Sequence, residues 1–217
     1  VVKRVFIPRI DRPFAVPMIP EKERKLRIAL GFPEWGPFYA AMSGKPTDAT
    51  YVIQGNLAQG LAARGHSLTF VAPNSPDELI VTTDPLAARV ARRTWSAGRW
   101  FELTSKLVWR IQKLFGIPYL NLFSNYGFYD ASVHALNDLD VIYERNGLYN
   151  VGLAMASKRL RIPYVIFFEA DQIMELDIMG NPITGLLRRR ASQLLRYNLN
   201  AAGCIVCVTA VGKRQLI

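Results

Sequence analysis

The chain has 217 residues, of which 50% are hydrophobic and 20% are charged, and its formal net charge is +10 at pH 7. These values are typical of one large or two small globular domains, and they exclude a disordered or fibrous chain. The excess of Lys and Arg favours partners such as phosphate-bearing substrates, anionic lipid or nucleic acid. A soluble basic protein without such a partner has the same composition.

The N-terminal segment differs in composition from the rest of the chain. Residues 1–24 contain four prolines and several charges but no continuous apolar stretch, so we predict an irregular arm rather than a signal peptide. Residues 25–217 are predicted to form one domain. No run of 18 apolar residues occurs, so no helix is predicted to cross a bilayer.

Strands and helices alternate along this domain. The apolar run 26–32 and the run 68–72 predict strands, and Ile53, Leu57 and Leu61 recur at helical spacing between them. Residues 33–48 are interpreted as a long loop. Further predicted strands are 79–82, 140–144, 164–168 and 204–209. Further predicted helices are 85–94, 100–114, 119–136 with Gly127 as a candidate break, 148–160, 183–200 and 211–217. This order predicts an α/β fold, a Rossmann-like and mainly parallel sheet with helices on both faces.

Common phosphate and metal motifs are missing. Gly44-Lys45 precedes a proline and lacks the first glycine of a Walker loop, and no three-glycine fingerprint follows the first strand. The two histidines have no metal-ligand spacing. Cys204 and Cys207 lie three apart on a predicted strand, which places them on opposite faces, so we interpret both as core thiols.

Carboxylates follow several predicted strands. Glu34 follows the first strand, Glu144 ends another, and Glu169 and Asp171 follow the next. The carboxyl ends of parallel strands converge on one cleft, so these side chains are candidates for a binding site. The alternative is an ordinary set of polar loops whose carboxylates cap the following helices.

A basic row of Arg99, Lys106, Arg110 and Lys113 starts just before the predicted helix 100–114 and continues along it, with tryptophans nearby. A basic helix with tryptophans can lie on an anionic membrane. We favour the alternative that its apolar stripe packs into the core and only its basic side meets solvent, because the stripe is wide.

Five segments, in order along the chain, resemble the N-terminal domain of family 4 glycosyltransferases, which have the GT-B fold. The segments are 26–29, 56–66 with its Arg-Gly-His ending, 140–145, 161–165 and 202–209. Two positions depart from the family pattern. Asp48 and Ala49 stand where a Gly-Gly pair is usual, and Glu169 stands where many members have His.

The resemblance implies the acceptor-binding half of an enzyme that transfers a sugar from a nucleotide-sugar donor to a glycan, lipid or small-molecule acceptor. Retention of configuration and independence of metal are family expectations. The chain starts without Met and stops inside a predicted helix, so we expect a piece of a longer polypeptide whose C-terminal domain supplies most of the donor site. Catalysis would then require that domain. We expect a cytoplasmic location, with peripheral attachment to the inner face of the membrane left open.

Within this half, loop 33–48 is the expected wall of the cleft, Arg145 is the candidate partner of an anionic group, and Glu169 and Asp171 are candidates for acceptor hydroxyls. The full set of candidate substrate-binding residues is Glu34, Trp35, Gly36, Asp48, Arg145, Asn146, Glu169, Asp171 and Thr209. The alternative function is a non-catalytic basic module that recruits a membrane or protein partner. No nucleic-acid recognition motif is present.

Overall fold

The computed structural model describes residues 5–6, 24–75, 78–116, 122–208 and 214. Its strands are β1 (Val5–Phe6), β2 (Arg27–Gly31), β3 (Ser67–Ser75), β4 (Glu78–Thr82), β5 (Val141–Arg145), β6 (Tyr164–Phe168) and β7 (Cys204–Cys207). Its helices are α1 (Trp35–Met42), α2 (Ala49–Ala63), α3 (Arg99–Leu114), α4 (Leu122–Ala135), α5 (Gly152–Leu160), α6 (Gln172–Ile178) and α7 (Gly185–Ala201), with a 3₁₀ turn at Trp95–Ala97.

The strands form one sheet in the order β1-β7-β6-β5-β2-β3-β4. All neighbouring strands are parallel except β3 and β4, which form an antiparallel edge. The predicted α/β fold with a mainly parallel sheet is therefore confirmed. Within the segment predicted as an irregular arm, Val5–Phe6 pairs with β7.

Both faces of the sheet are covered. On one face α4 and α5 pack on a core to which the six strands β2 to β7 contribute side chains, among them Ala29, Val71, Leu79, Ile142, Ile166 and Ile205. On the other face α1 and α2 pack on a second core that includes Ile28, Leu30, Phe70, Phe38 and Tyr51. Alternate residues of β2 thus serve two cores, which explains its continuously apolar sequence.

Helix α2 forms as predicted, but it presents a different face to the sheet. Its buried residues are Tyr51, Gln54, Gly55 and Ala58, whereas Ile53 of the predicted stripe is 52% exposed. Gly65 follows the helix with φ +82°, as a glycine after a helix C-cap commonly does.

Four expectations need correction. The loop predicted over 33–48 contains α1, and the segment 85–94 is not helical; its Val90 instead bridges to Ile80. Gly127 lies inside an unbroken α4, and α5 begins at Gly152 rather than at 148. The helix predicted over 211–217 and residues 119–121 lie outside the described residues apart from Arg214. Cys207 is buried and Cys204 is partly exposed, and the two do not form a disulfide with each other.

Glu144 lies inside the core rather than at the sheet edge. Its side chain points to the α5 side of β5 and accepts a hydrogen bond of 2.5 Å from the Tyr164 hydroxyl. A carboxylate with one hydrogen bond is poorly compensated for lost hydration, so burial raises the pKa of Glu144 to about 7 despite the opposing effect of Tyr164.

Replacing Glu144 by Gln should therefore change the pH dependence of stability. The raised pKa means that the folded chain holds this proton more tightly than the unfolded chain does, so the contribution of Glu144 to stability is greatest below about pH 4.5 and falls as the pH rises to about 7. The loss for the unsubstituted chain is on the order of 3 kcal/mol, and Glu144→Gln should remove most of it. Urea denaturation from pH 4 to pH 8 gives the free energy of unfolding of both proteins. If this free energy changed equally with pH in both, the raised pKa of Glu144 would be contradicted.

Candidate functional site

The sheet brings the ends of β2, β5 and β6 to one edge. Strand β2 pairs with β3 on one side and with β5 on the other. The chain after β2 leads to β3 and the chain after β5 leads to β6, so the two connections run in opposite directions from the ends of β2 and β5. Such a divergence leaves a crevice outside the carboxyl ends of the strands, where open α/β sheets bind ligands. Two backbone hydrogen bonds continue the ladder past the strands, from Phe32 N to Val71 O (2.9 Å) and from Asn146 N to Phe167 O (3.0 Å).

A cavity of about 530 Å³ occupies this crevice. The turn after β2, the turn after β5 and helix α6 form its walls, through Pro33, Glu34, Gly147, Leu148, Asn150, Gln172, Glu175, Leu176 and Met179. A second cavity of about 280 Å³ shares Pro33, Glu34 and Asn150 and extends along the end of β3 to α4. Carboxylate and amide groups therefore line open space beside apolar side chains, and this arrangement suits a hydroxylated ligand.

Arg145 and Glu169 form an ion pair at the same edge. The Arg145 guanidinium donates from Nη2 (3.1 Å) and Nε (3.2 Å) to Oε2 of Glu169 and lies 5.0 Å from the centre of the Tyr51 ring. The Arg145 side chain is 14% exposed and that of Glu169 is 36% exposed. Two partners thus hold the guanidinium in a defined position at the end of β5.

The electrostatic surroundings of Tyr51 connect this ion pair with the cavity. Burial raises the pKa of Tyr51, the charges of Glu34 and Asp48 act in the same direction, and Arg145 opposes them. Burial also raises the pKa of Tyr143, on which Gln54 acts in the opposite direction and Glu169 in the same one. Glu34 therefore lines the cavity and also lies close enough to Tyr51 to influence its ionisation.

Two predicted residues between β5 and α6 have mainly local roles. Asp171 caps α6, because its Oδ1 accepts hydrogen bonds from Ile173 N (2.9 Å) and Met174 N (3.4 Å). This is the capping alternative of the sequence analysis, so Asp171 is not a simple hydroxyl-binding carboxylate. Asn146 is buried and its Oδ1 has no hydrogen-bond partner among the described residues, while its carbonyl accepts from Gln172 Nε2 at 3.4 Å.

The remaining predicted residues have different positions, and not all of them lie at the crevice. The expectation that Trp35 lines the cleft is wrong, because this residue is only 6% exposed and packs in the core against Phe38, with ring centres 5.8 Å apart. Gly36 and Asp48 are exposed at the first turn of α1 and at the N-cap of α2. Glu144, considered as an edge carboxylate, is a core residue, and Thr209 lies outside the described residues.

Sequence reasoning missed Tyr51, Asn150, Gln172 and Glu175. Tyr51 lies in the first turn of a helix that was predicted, so its contact with Arg145 depends on a long-range approach that periodicity does not show. Gln172 and Glu175 lie on α6, which was not predicted. The available signal for α6 was Asp171, because Asp is a preferred N-cap residue and residues compatible with a helix follow it.

No three His, Cys, Asp or Glu side chains are grouped to hold a metal ion within the described part of the chain. Among the same residues, no helix is both long and apolar enough to cross a membrane.

The mainly parallel sheet, covered by helices on both faces and with an open crevice at its switch point, defines a Rossmann-like domain. Residues 49–217 match the glycosyl transferase 4-like domain family. This match covers most of the chain, which belongs to that family, so the predicted resemblance to family 4 glycosyltransferases is confirmed and the class of protein is a glycosyltransferase. No curated protein and no solved structure gives a significant match to the chain.

A double-mutant cycle on Arg145→Gln and Glu169→Gln tests the ion pair. Because the Arg145 side chain is 14% exposed and that of Glu169 is 36% exposed, we expect a coupling free energy of unfolding of about 1 kcal/mol, which is the upper end of the range for solvent-exposed ion pairs. The pair Lys106 and Glu102, with side chains 64% and 61% exposed, is the matched control. Its coupling should be clearly smaller, and equal couplings from urea denaturation would refute a specific role for the Arg145 pair.

Proposed function

We propose that this chain is the acceptor-binding half of a glycosyltransferase that transfers a sugar from a nucleotide-sugar donor to an acceptor with retention of configuration. The observation that carries the proposal is the 530 Å³ cavity at the switch point of the sheet, in a chain of the glycosyl transferase 4-like family. A further domain would complete the donor site. The nucleotide sugar is a co-substrate, and the proposal includes no metal, as the resemblance implies.

The lining of the cavity supports a hydroxylated acceptor. Glu34, Glu175, Asn150 and Gln172 offer carboxylate and amide groups, which accept and donate hydrogen bonds in the directions that sugar hydroxyls require. Leu148, Leu176 and Met179 provide apolar surface for the C–H face of a sugar ring or for an alkyl portion of an acceptor. The proposal therefore assigns acceptor recognition to the turns after β2 and β5 together with α6.

Arg145 is proposed to face an anionic group of the donor or acceptor. Its planar guanidinium can bind phosphate or carboxylate with two hydrogen bonds, and Glu169 and Tyr51 already limit its motion. Because Arg145 holds one carboxylate oxygen of Glu169, we assign Glu169 the role of positioning Arg145 rather than transferring a proton. Pre-orientation of this kind reduces the entropy lost when a ligand binds.

Asp48 is proposed to alter how the donor phosphates approach. Asp48 is the N-cap residue of α2, but its side chain accepts no hydrogen bond from the helix. Its charge acts to raise the pKa of Tyr51, as the charge of Glu34 does. A carboxylate here repels a pyrophosphate, which a Gly-Gly pair would admit. The donor is therefore expected to meet the Arg145 side of the edge rather than the N-terminus of α2.

The decisive experiment uses the complete polypeptide with a panel of nucleotide sugars and acceptors, with product detection by mass spectrometry. Glu34→Gln should raise the acceptor KM by about tenfold, the typical cost of losing one charged hydrogen-bond partner, and leave the donor KM unchanged. Glu102→Gln, which removes the same charge from an exposed residue that lines neither cavity, should change neither constant.

Arg145→Ala should lower kcat/KM by at least about tenfold if the guanidinium meets a charged ligand group. Unchanged kinetics would remove that assignment. If the complete polypeptide consumes no nucleotide sugar, the proposal fails and the non-catalytic binding module becomes the better explanation, although the family match does not favour it.

A further inference from the structure

Helix α3 is attached to the domain but does not contribute a buried residue to it. None of the sixteen residues of Arg99–Leu114 is buried. Its partly buried residues, Phe101, Ser105, Val108 and Gln112, lie on one side of the helix. Near its start the Phe101 ring meets the rings of Trp95 and Phe123, each at 5.3 Å between centres. The expectation that its apolar stripe packs into the core is therefore wrong.

The attachment of α3 is nevertheless firm at its N-terminal end. Asp130 of α4 accepts four hydrogen bonds, from the backbone and hydroxyl groups of Thr94 and Ser96, at 2.6 to 3.0 Å. These residues immediately precede the helix. A buried carboxylate with this many donors fixes the direction in which the chain enters α3, so the exposed face is a defined surface.

The exposed face of α3 is an apolar stripe. Trp100 and Leu114 are 84% and 80% exposed at the two ends, and Leu103, Leu107 and Ile111 are 57%, 57% and 43% exposed between them. The spacings of three, four, four and three residues place all five side chains on one side of the helix. The adjoining Phe115 is 70% exposed. A continuous surface of this kind marks an interaction site in a soluble chain.

A basic row runs beside this stripe. Arg99, Lys106, Arg110 and Lys113 recur at spacings of seven, four and three, and Glu102 is the one acidic residue of the helix. Segment 86–115, which includes α3, holds seven Arg and Lys residues against this single Glu. Such a surface combines apolar insertion with attraction to negative charge.

We propose that α3 is a docking helix that lies in the headgroup region of an anionic lipid surface. The apolar stripe enters the acyl boundary, and the Lys and Arg side chains extend along it to lipid phosphates. Lys is depleted at protein interfaces, whereas an acidic lipid surface meets a row of like charges without needing a matched partner at each position. This charge complementarity favours lipid over a second protein.

Flotation of the protein with vesicles tests the proposal directly. At low ionic strength the protein should float with vesicles of equal parts phosphatidylcholine and phosphatidylglycerol, and it should bind weakly to phosphatidylcholine alone. Added salt should release part of the bound protein by screening. On binding, the emission of Trp100 should shift to shorter wavelength, and Trp100→Phe should remove most of that shift.

Variants separate the two contributions. Leu103→Glu with Leu107→Glu should abolish binding, and because both side chains are exposed, the midpoint of unfolding should not change. Arg99→Gln with Arg110→Gln should weaken binding about thirtyfold at low salt, given about fivefold for each charge. The matched control is Arg159→Gln with Arg196→Gln, two exposed residues of α5 and α7, which should weaken binding by less than about threefold.

Three results would overturn the proposal. The first is no flotation with anionic vesicles at low salt, and the second is equal weakening by the control pair, which would indicate attraction by net charge alone. The third is a concentration-dependent dimer that the Leu103→Glu and Leu107→Glu changes dissociate without any effect on vesicle binding, which would assign the stripe to a second copy of the chain.

Discussion

The position of β2 in the middle of the sheet is the constraint on which the site depends. This strand pairs with β3 and β5 at its two edges, helices cover both of its faces, and all of its residues except Arg27 are buried. Its end is the point at which the chain diverges. Gly31, the last residue of β2, lies where an added Cβ would be 2.4 Å from Leu153 Cδ1 and 3.1 Å from Glu144 Cγ. The absence of a side chain lets α5 approach the sheet closely, and the turn that carries Pro33 and Glu34 starts from that fixed point.

Two buried carboxylates show how differently the same group can be accommodated. Asp130 is buried, which opposes its charged form, but four donors from Thr94 and Ser96 outweigh this and lower its pKa. Glu144 has one donor, and its pKa rises. The first carboxylate therefore stays charged and organises the entry to α3, whereas the second is a cost in the core that increases with pH. Neither lines the crevice, so the raised pKa of Glu144 does not make it a candidate acid or base.

Much of the fold followed from the sequence, because central strands of a parallel sheet are apolar on both faces and stand out as short continuous runs. The short helices α1 and α6 were not predicted from the sequence. α1 begins at Trp35, its N-cap residue Glu34 makes no side-chain capping hydrogen bond, and it includes Gly36, so the local signals for a helix are weak. Its stability comes from Trp35 and Phe38 packing on β2 and β3, a tertiary effect that no local pattern displays. The same burial explains why Trp35 was wrongly expected in the cleft.

The candidate site was predictable only as a location. Strand ends identified Glu34, Arg145 and Glu169, since parallel topology alone brings them to one edge. That Arg145 would pair with Glu169 and lie against Tyr51 depends on side-chain directions and on the packing of α2, whose buried face is not the one marked by Ile53. Periodicity shows that a helix has an apolar side, but it does not show what that side contacts.

The positive charge of the chain is unevenly distributed along the sequence. Segment 86–115 has seven basic residues and one acidic residue, so this short region carries six of the ten net charges. Residues 178–217 carry six further basic residues and no acidic one, so the excess of positive charge is concentrated in a few segments rather than spread evenly. An apolar stripe and a concentrated basic row on the same unburied helix would be unfavourable in water for two separate reasons, exposed apolar surface and mutual repulsion of like charges. A single negatively charged apolar boundary relieves both, which is why the two features are better explained together than as a solvated helix.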